Sequence, residues 1–169
     1  MPISGAFDFE AAFPSIIHDW LWMVLRPRKM PPDYINLFQS IYKNAHAFYA
    51  HNGITFTLLA FLSGVLQGCP GSAFLFNNAI DPFLTSFNNV LRSNNARIVG
   101  ACADDTGITL CGLKHLQLIY PIHCDRKTFG GLILKPIKCV LAPLCRVTDE
   151  VQSSTYHNGI LSRSSQLQS

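Results

Sequence analysis

The stretch Ala101-Cys102-Ala103-Asp104-Asp105-Thr106 decides how this chain is read. It follows an uncharged run from Ile98 and precedes the alternation of Ile108-Thr109-Leu110-Cys111, a pattern of strand, acidic turn and strand. Two adjacent carboxylates at a hairpin tip repel each other unless a cation lies between them, and hard oxygen ligands favour magnesium or manganese. Asp is also an ordinary turn residue that hydrogen-bonds to its own backbone, so an Asp-Asp turn taken alone is more often structural. Partners elsewhere in the chain decide between the two.

The composition sets the frame for that search. A chain of 169 residues with 49% apolar content can build one domain with a real core, and two full domains would be cramped. Only 14% of residues are charged, which suggests faces that normally meet neighbours or a poorly soluble remnant. The net charge of +3 permits nucleic-acid binding without demonstrating it. Six cysteines never form a Cys-x-x-Cys pair, which removes zinc-ribbon readings and makes reduced thiols the default. No signal-peptide pattern opens the chain and no run is apolar enough for a membrane span, so the expected location is intracellular, nucleus or cytoplasm unresolved, with no membrane partner.

Residues Ile3 to Phe9 form an apolar strand candidate that carries Asp8 at its end. Pro14 and Ser15 then open a helix expected over 15–25, with Ser15 as cap and Ile16, Ile17, Trp20, Leu21, Val24 and Leu25 on one face. After the basic, proline-broken loop Arg26 to Pro32, Asp33 is placed to cap a second helix through Tyr42. Asn52-Gly53 between apolar runs marks a hairpin. The glycine-rich loop Ser63 to Ser72 leads into a helix over 72–92 that Pro82 should kink or split. A short helix ending near Pro121 and a strand pair over 132–141 follow. A polar tail over 146–169 lacks apolar periodicity and is expected to be disordered, leaving 1–145 as the domain.

Four pieces therefore occur in order: a strand-end Asp with an aromatic five residues later, a Gly-Gln-Gly loop before a helix, an Asp-Asp hairpin, and a Gly-Leu…Lys segment. Two-metal phosphoryl transfer needs carboxylates from two strands to converge on divalent ions roughly 3.5–4 Å apart. Phe7-Asp8-Phe9-Glu10-Ala11-Ala12-Phe13-Pro14-Ser15-Ile16-Ile17-His18 resembles motif A of the reverse transcriptases of non-LTR (LINE-type) retrotransposons. Gly64-Val65-Leu66-Gln67-Gly68-Cys69-Pro70-Gly71-Ser72 resembles their motif B, Ala103-Asp104-Asp105 motif C, and Gly131-Leu132 to Lys138 motif D.

The resemblance implies an α+β polymerase palm, an antiparallel sheet backed by helices, that works as an RNA-directed DNA polymerase. Asp8 and Asp104 would be the principal catalytic ligands of two Mg2+ (or Mn2+) ions, and Asp105 a secondary one. Phe13 would lie under the nucleotide sugar and exclude a 2′-hydroxyl, while Gly64, Gln67 and Gly68 would line the template and incoming nucleotide. Lys138 would steer or protonate the pyrophosphate leaving group. The implied partners are an RNA template, a DNA primer and a dNTP.

Four positions depart from the family pattern. Pro14 stands where many members have a second acidic residue, Cys102 where an aromatic is frequent, Gly71 where leucine is usual, and Lys135 where asparagine is common. None removes a metal ligand. The chain starts about seven residues before Asp8, so fingers strands and a thumb are expected to belong to a longer parent polypeptide. The alternative is a catalytically inactive, truncated retroelement relic that keeps the palm fold and binds metal or nucleic acid weakly. A nucleotide cyclase on the same fold is a third reading, against which the Gln-Gly-Cys-Pro loop argues.

Overall fold

The computed structural model describes residues 2–94, 99–102 and 105–144. Asp104 and the expected tail lie outside the described residues.

The organising element is the first strand, β1 (Ile3–Phe7). It is followed by α1 (Ala12–Ser15), α2 (His18–Leu25), α3 (Pro32–Tyr42), the pair β2 (His46–His51) and β3 (Ile54–Ala60), and α4 (Ser72–Ser93). The chain continues as β4 (Val99–Cys102), β5 (Asp105–Leu110), α5 (Leu116–Gly130) and β6 (Val140–Pro143). Four strands form an antiparallel sheet in the order β4-β5-β1-β6, with β1 pairing β5 from Ile3↔Leu110 to Phe7↔Thr106 and β6 from Ile3↔Pro143 to Ala6↔Val140. The expected α+β architecture, a sheet backed by helices, is what the chain forms.

Alternation assigns the two faces of this sheet. Successive side chains on a strand point to opposite sides. Ile3, Thr106, Ile108 and Leu110 are buried against Phe83, Phe87 and Leu91 of α4 and Ile119 and Ile122 of α5, so this face is the inner one. Asp105 and Gly107 lie between the buried β5 residues and are exposed on the opposite face. A second cluster joins Phe9, Ala12 and Ile16 to Leu21 and Leu25 of α2 and Leu75, Phe76 and Ala79 of α4.

Several local expectations are corrected. The helix over 15–25 is two helices, broken at Ile16 and Ile17, and Ser15 ends the first. Its hydroxyl donates to Ala11 O, one turn back, and caps neither helix. Asp33 sits inside the first turn of α3, after Pro31 and Pro32, where its charge suits the helix dipole but its side chain makes no cap. Pro82 does not split α4, whose buried stripe Leu75, Phe76, Ala79, Ile80, Phe83, Phe87 and Leu91 continues through it. Pro121 likewise falls inside α5, because Ile119, Ile122 and Arg126 bury one face on both sides of it. The strand pair over 132–141 is a lone bridge, Phe9↔Leu134, followed by a 3-10 turn at Pro136–Lys138 and then β6. Among the described residues, no helix is long and apolar enough to cross a membrane.

Candidate active site

The ladder between β1 and β5 ends at Phe7↔Thr106, and the next residue outward on each strand is a carboxylate, Asp8 and Asp105. Thr106 faces the helices, and Phe7 packs its ring against His123 on that side. Pairing partners share a face, so Asp8 and Asp105 turn to the opposite, open side. Asp105 pairs with Cys102 across the β4–β5 hairpin. Asp104, between them in sequence, is outside the described residues.

Asp8 is held from its far side. Lys135 N–H donates to Asp8 O at 2.9 Å, Phe9 bridges Leu134, and Glu10 N–H donates to Ile133 O at 2.8 Å. The Lys138 ammonium lies 2.8 Å from Asp8 Oδ2. That hydrogen bond holds the Asp8 carboxyl below the usual carboxylate range, against the opposing effect of its partial burial. Carboxyl oxygens such as those of Asp8 and Asp105 are the donor type that a hard divalent cation takes. Among the described residues, no three His, Cys, Asp or Glu side chains cluster as a metal site.

The glycine loop is fastened to the segment that follows Asp8. Val65 N–H donates to Phe13 O at 2.8 Å, Gly64 N–H donates to Ile16 O at 2.7 Å, and His18 Nε2 donates to Gly64 O at 2.8 Å. Gly64 has φ +86°, and a Cβ there would lie 2.4 Å from Pro14 O, so both conformation and space demand glycine. Leu66 N–H donates to the Tyr42 hydroxyl at 3.3 Å, and Ser72 Oγ donates to Leu66 O. Gln67 and Gly68 are exposed beyond this anchored base, and Gly68 has φ +88° with open space beside it. Phe13, half-buried, stacks on Phe76 of α4 with ring centroids 4.3 Å apart. The structure thus joins Asp8 to Lys138, sets Asp105 one residue beyond the same ladder end, and joins Phe13 to the Gly64–Val65 loop.

Sequence reasoning overlooked the supports. His18, Tyr42 and Ser72 hold the loop and Phe76 stacks on Phe13. His18 and Ser72 fall inside motifs A and B and Phe76 just after B, but nothing in the sequence marks these side chains as supports. It also overlooked a polar group behind the carboxylates. Thr106 Oγ1, both His123 ring nitrogens, and Arg126 Nε and Nη1 are buried without hydrogen-bond partners. Burial, with Arg126 nearby, pushes His123 down to about 4. Arg126 is only 1% exposed, and burial pushes it down to about 9, which leaves it protonated at neutral pH. Its guanidinium carbon lies 4.1 Å from the Phe9 ring centroid and 5.4 Å from that of Phe87.

Comparison with known proteins agrees with this geometry. The family model described as "Reverse transcriptase (RNA-dependent DNA polymerase)" matches residues 5–156. The transposon TX1 uncharacterized 149 kDa protein of Xenopus laevis is 33% identical over 118 residues, which is 66% of this chain and 9% of that protein. Apo telomerase from Candida tropicalis superimposes with a TM-score of 0.69 at 11% identity, covering 85% of this chain and 29% of that one. Telomerase from the same organism in complex with a TWJ fragment of telomeric RNA gives a TM-score of 0.67 at 11% identity, covering 83% and 26%.

Proposed function

The chain belongs to the reverse transcriptase (RNA-dependent DNA polymerase) family, and from that premise we propose that it is the nucleotidyl-transfer palm of a LINE-type retrotransposon polymerase. In this reading it extends a primer 3′-hydroxyl with deoxynucleotides on an RNA template. The observation that supports it most is the end of the β1–β5 ladder at Phe7↔Thr106, where Asp8 and Asp105 are the next residues outward, with the Phe13–Val65 junction following on Asp8. The relative solved with telomeric RNA supports an RNA partner by analogy.

Asp8 and Asp105, with Asp104, would hold two Mg2+ or Mn2+ ions. Bound there, the ions would lower the pKa of the primer hydroxyl and neutralise charge on the transferring phosphoryl group. Phe13, stacked on Phe76, would serve as a flat wall under the nucleotide sugar that excludes a 2′-hydroxyl. Gly64 lets the loop backbone pack closely on Pro14, and the exposed Gln67 and Gly68 would line the template and incoming nucleotide. Lys138 neutralises Asp8 when no other cation does. Where a divalent ion takes that role, the Lys138 ammonium would be the group to steer or protonate the pyrophosphate leaving group.

Primer extension on an RNA template tests this reading. Extension by the purified chain that falls at least about a hundredfold in Asp8→Asn supports it, since a lost transition-state charge contact costs on that order. No extension at any magnesium or manganese concentration leaves the second reading, an inactive relic of the palm. One observation favours that reading: the exposed apolar side chains of the β2–β3 hairpin.

A further inference from the structure

Arg126 is a costly residue for its position. Its Nε and Nη1 atoms have no hydrogen-bond partner among the described residues, and phenylalanine faces replace only part of the lost hydration. Methionine would fill similar space without that cost. What the arginine touches gives it a use. Of the three phenylalanine rings around it, Phe9 is nearest, at 4.1 Å, and Phe9 follows Asp8 directly. Neighbours on an extended chain face opposite ways, so a Phe9 ring pinned inward turns Asp8 outward.

The main chain of Arg126 acts on the same place. Its carbonyl accepts from Leu132 N–H at 3.0 Å and from Gly131 N–H, which fixes the start of the segment that clasps Asp8 and Glu10. Helix α5 therefore grips both sides of the Asp8 strand end: by backbone through residues 131–135 and by guanidinium through Phe9.

We propose that Arg126 is a positioning residue that sets the direction of the Asp8 carboxylate through the Phe9 ring, at the expense of fold stability. This rests on the reading of Asp8 as a metal ligand. A residue that only fills the core would change global stability and local order together. A positioning residue of this kind moves them in opposite directions.

The test compares wild type with Arg126→Met and Arg126→Lys in the full chain, by thermal unfolding, amide hydrogen exchange and Mn2+ titration followed by electron paramagnetic resonance. Arg126→Met is expected to raise the unfolding midpoint by about 2–4 °C. Exchange at Glu10 and Lys135 should quicken about tenfold in the same protein, as local opening is uncoupled from global unfolding. Mn2+ affinity should fall about tenfold, the scale for losing a group behind a metal ligand. Arg126→Lys keeps a cation over Phe9, so its exchange at the two amides should stay within about threefold of wild type.

A more stable Arg126→Met with unchanged exchange at Glu10 and Lys135 overturns the proposal, as does a variant that unfolds more readily or fails to fold. Mn2+ binding that is equal in wild type and Asp8→Asn sinks the metal reading instead, and the exchange comparison still decides the role of Arg126. Binding that depends on Asp8 but is unchanged in Arg126→Met overturns the positioning role alone.

Discussion

The chain contains two antiparallel β structures of similar local sequence character and opposite fate. In the four-stranded sheet, Ile3, Ile108 and Leu110 are 1–2% exposed because α4 and α5 cover their face. In the β2–β3 hairpin, Phe48, Tyr49, Ile54, Phe56, Leu58 and Leu59 are all at least half exposed or nearly so, and every residue of β3 is exposed. The hairpin forms because Asn52 and Gly53 both take positive φ, 49° and 78°, which a two-residue turn between twisted strands requires. Backbone chemistry thus suffices to shape a ribbon. Only a covering layer turns a ribbon into part of a core, since a two-stranded hairpin is marginal by itself.

The largest expected contrast comes from truncating one aromatic in each region. Phe87→Ala, in the fully buried layer between α4 and the sheet, should cost about 3–5 kcal/mol by denaturant unfolding. Phe56→Ala in the hairpin should change stability by no more than about 0.5 kcal/mol. Equal losses would mean that the hairpin face is covered in solution and would break the contrast.

Next comes pH. His123 is buried between Phe7 and Phe87, whereas the hairpin's His46 and His51 are exposed. The unfolded chain protonates His123 at its ordinary 6.5 and the folded chain at about 4. Acidification through that window adds protons to the unfolded state first, so stability falls, by about 3 kcal/mol in all. His123→Leu should flatten the unfolding free energy between pH 6.5 and 4. An unchanged slope would assign the acid sensitivity to other groups.

Two glycines give a smaller contrast. Gly131 has φ +76°, and a Cβ there would lie 2.1 Å from Ser15 O, so Gly131→Ala adds a backbone clash to conformational strain. Gly53 has φ +78° and nothing near it, so Gly53→Ala adds strain alone, about 1–2 kcal/mol. The Gly131 variant should be the less stable of the two in the same unfolding assay. Leu58→Lys is the mildest change: an exposed edge gains a charge, with no measurable loss of stability and higher solubility on concentration.

Sequence made the turn chemistry and the carboxylates legible. Asn52-Gly53 announces its hairpin because few residues accept that conformation, and Asp8 and Asp105 stand out because apolar strands deliver them. The helix breaks were less legible. A proline signals a helix end locally, but at Pro82 and Pro121 the buried stripes of α4 and α5 outweigh one missing backbone hydrogen bond. Arg126 was illegible for a related reason. Nothing in the residues around it distinguishes a solvated arginine from one drawn under three phenylalanines. The supports of the glycine loop come from α2 and α3, and only tertiary structure brings His18 and Tyr42 to Gly64 and Leu66.

The place of β1 in the middle of the sheet also governs when the fold can form. Ile3 pairs with Leu110 on one side and Pro143 on the other, so β1 waits for strands about 100 and 140 residues further along the chain before both its edges are satisfied. Until then, a short apolar strand with two open edges is available to any other chain. Folding dominated by such distant pairings is slow and prone to aggregation. On the ribosome, the Asp8 half of the carboxylate pair exists long before its partner, and the two meet only after nearly all the described chain has emerged.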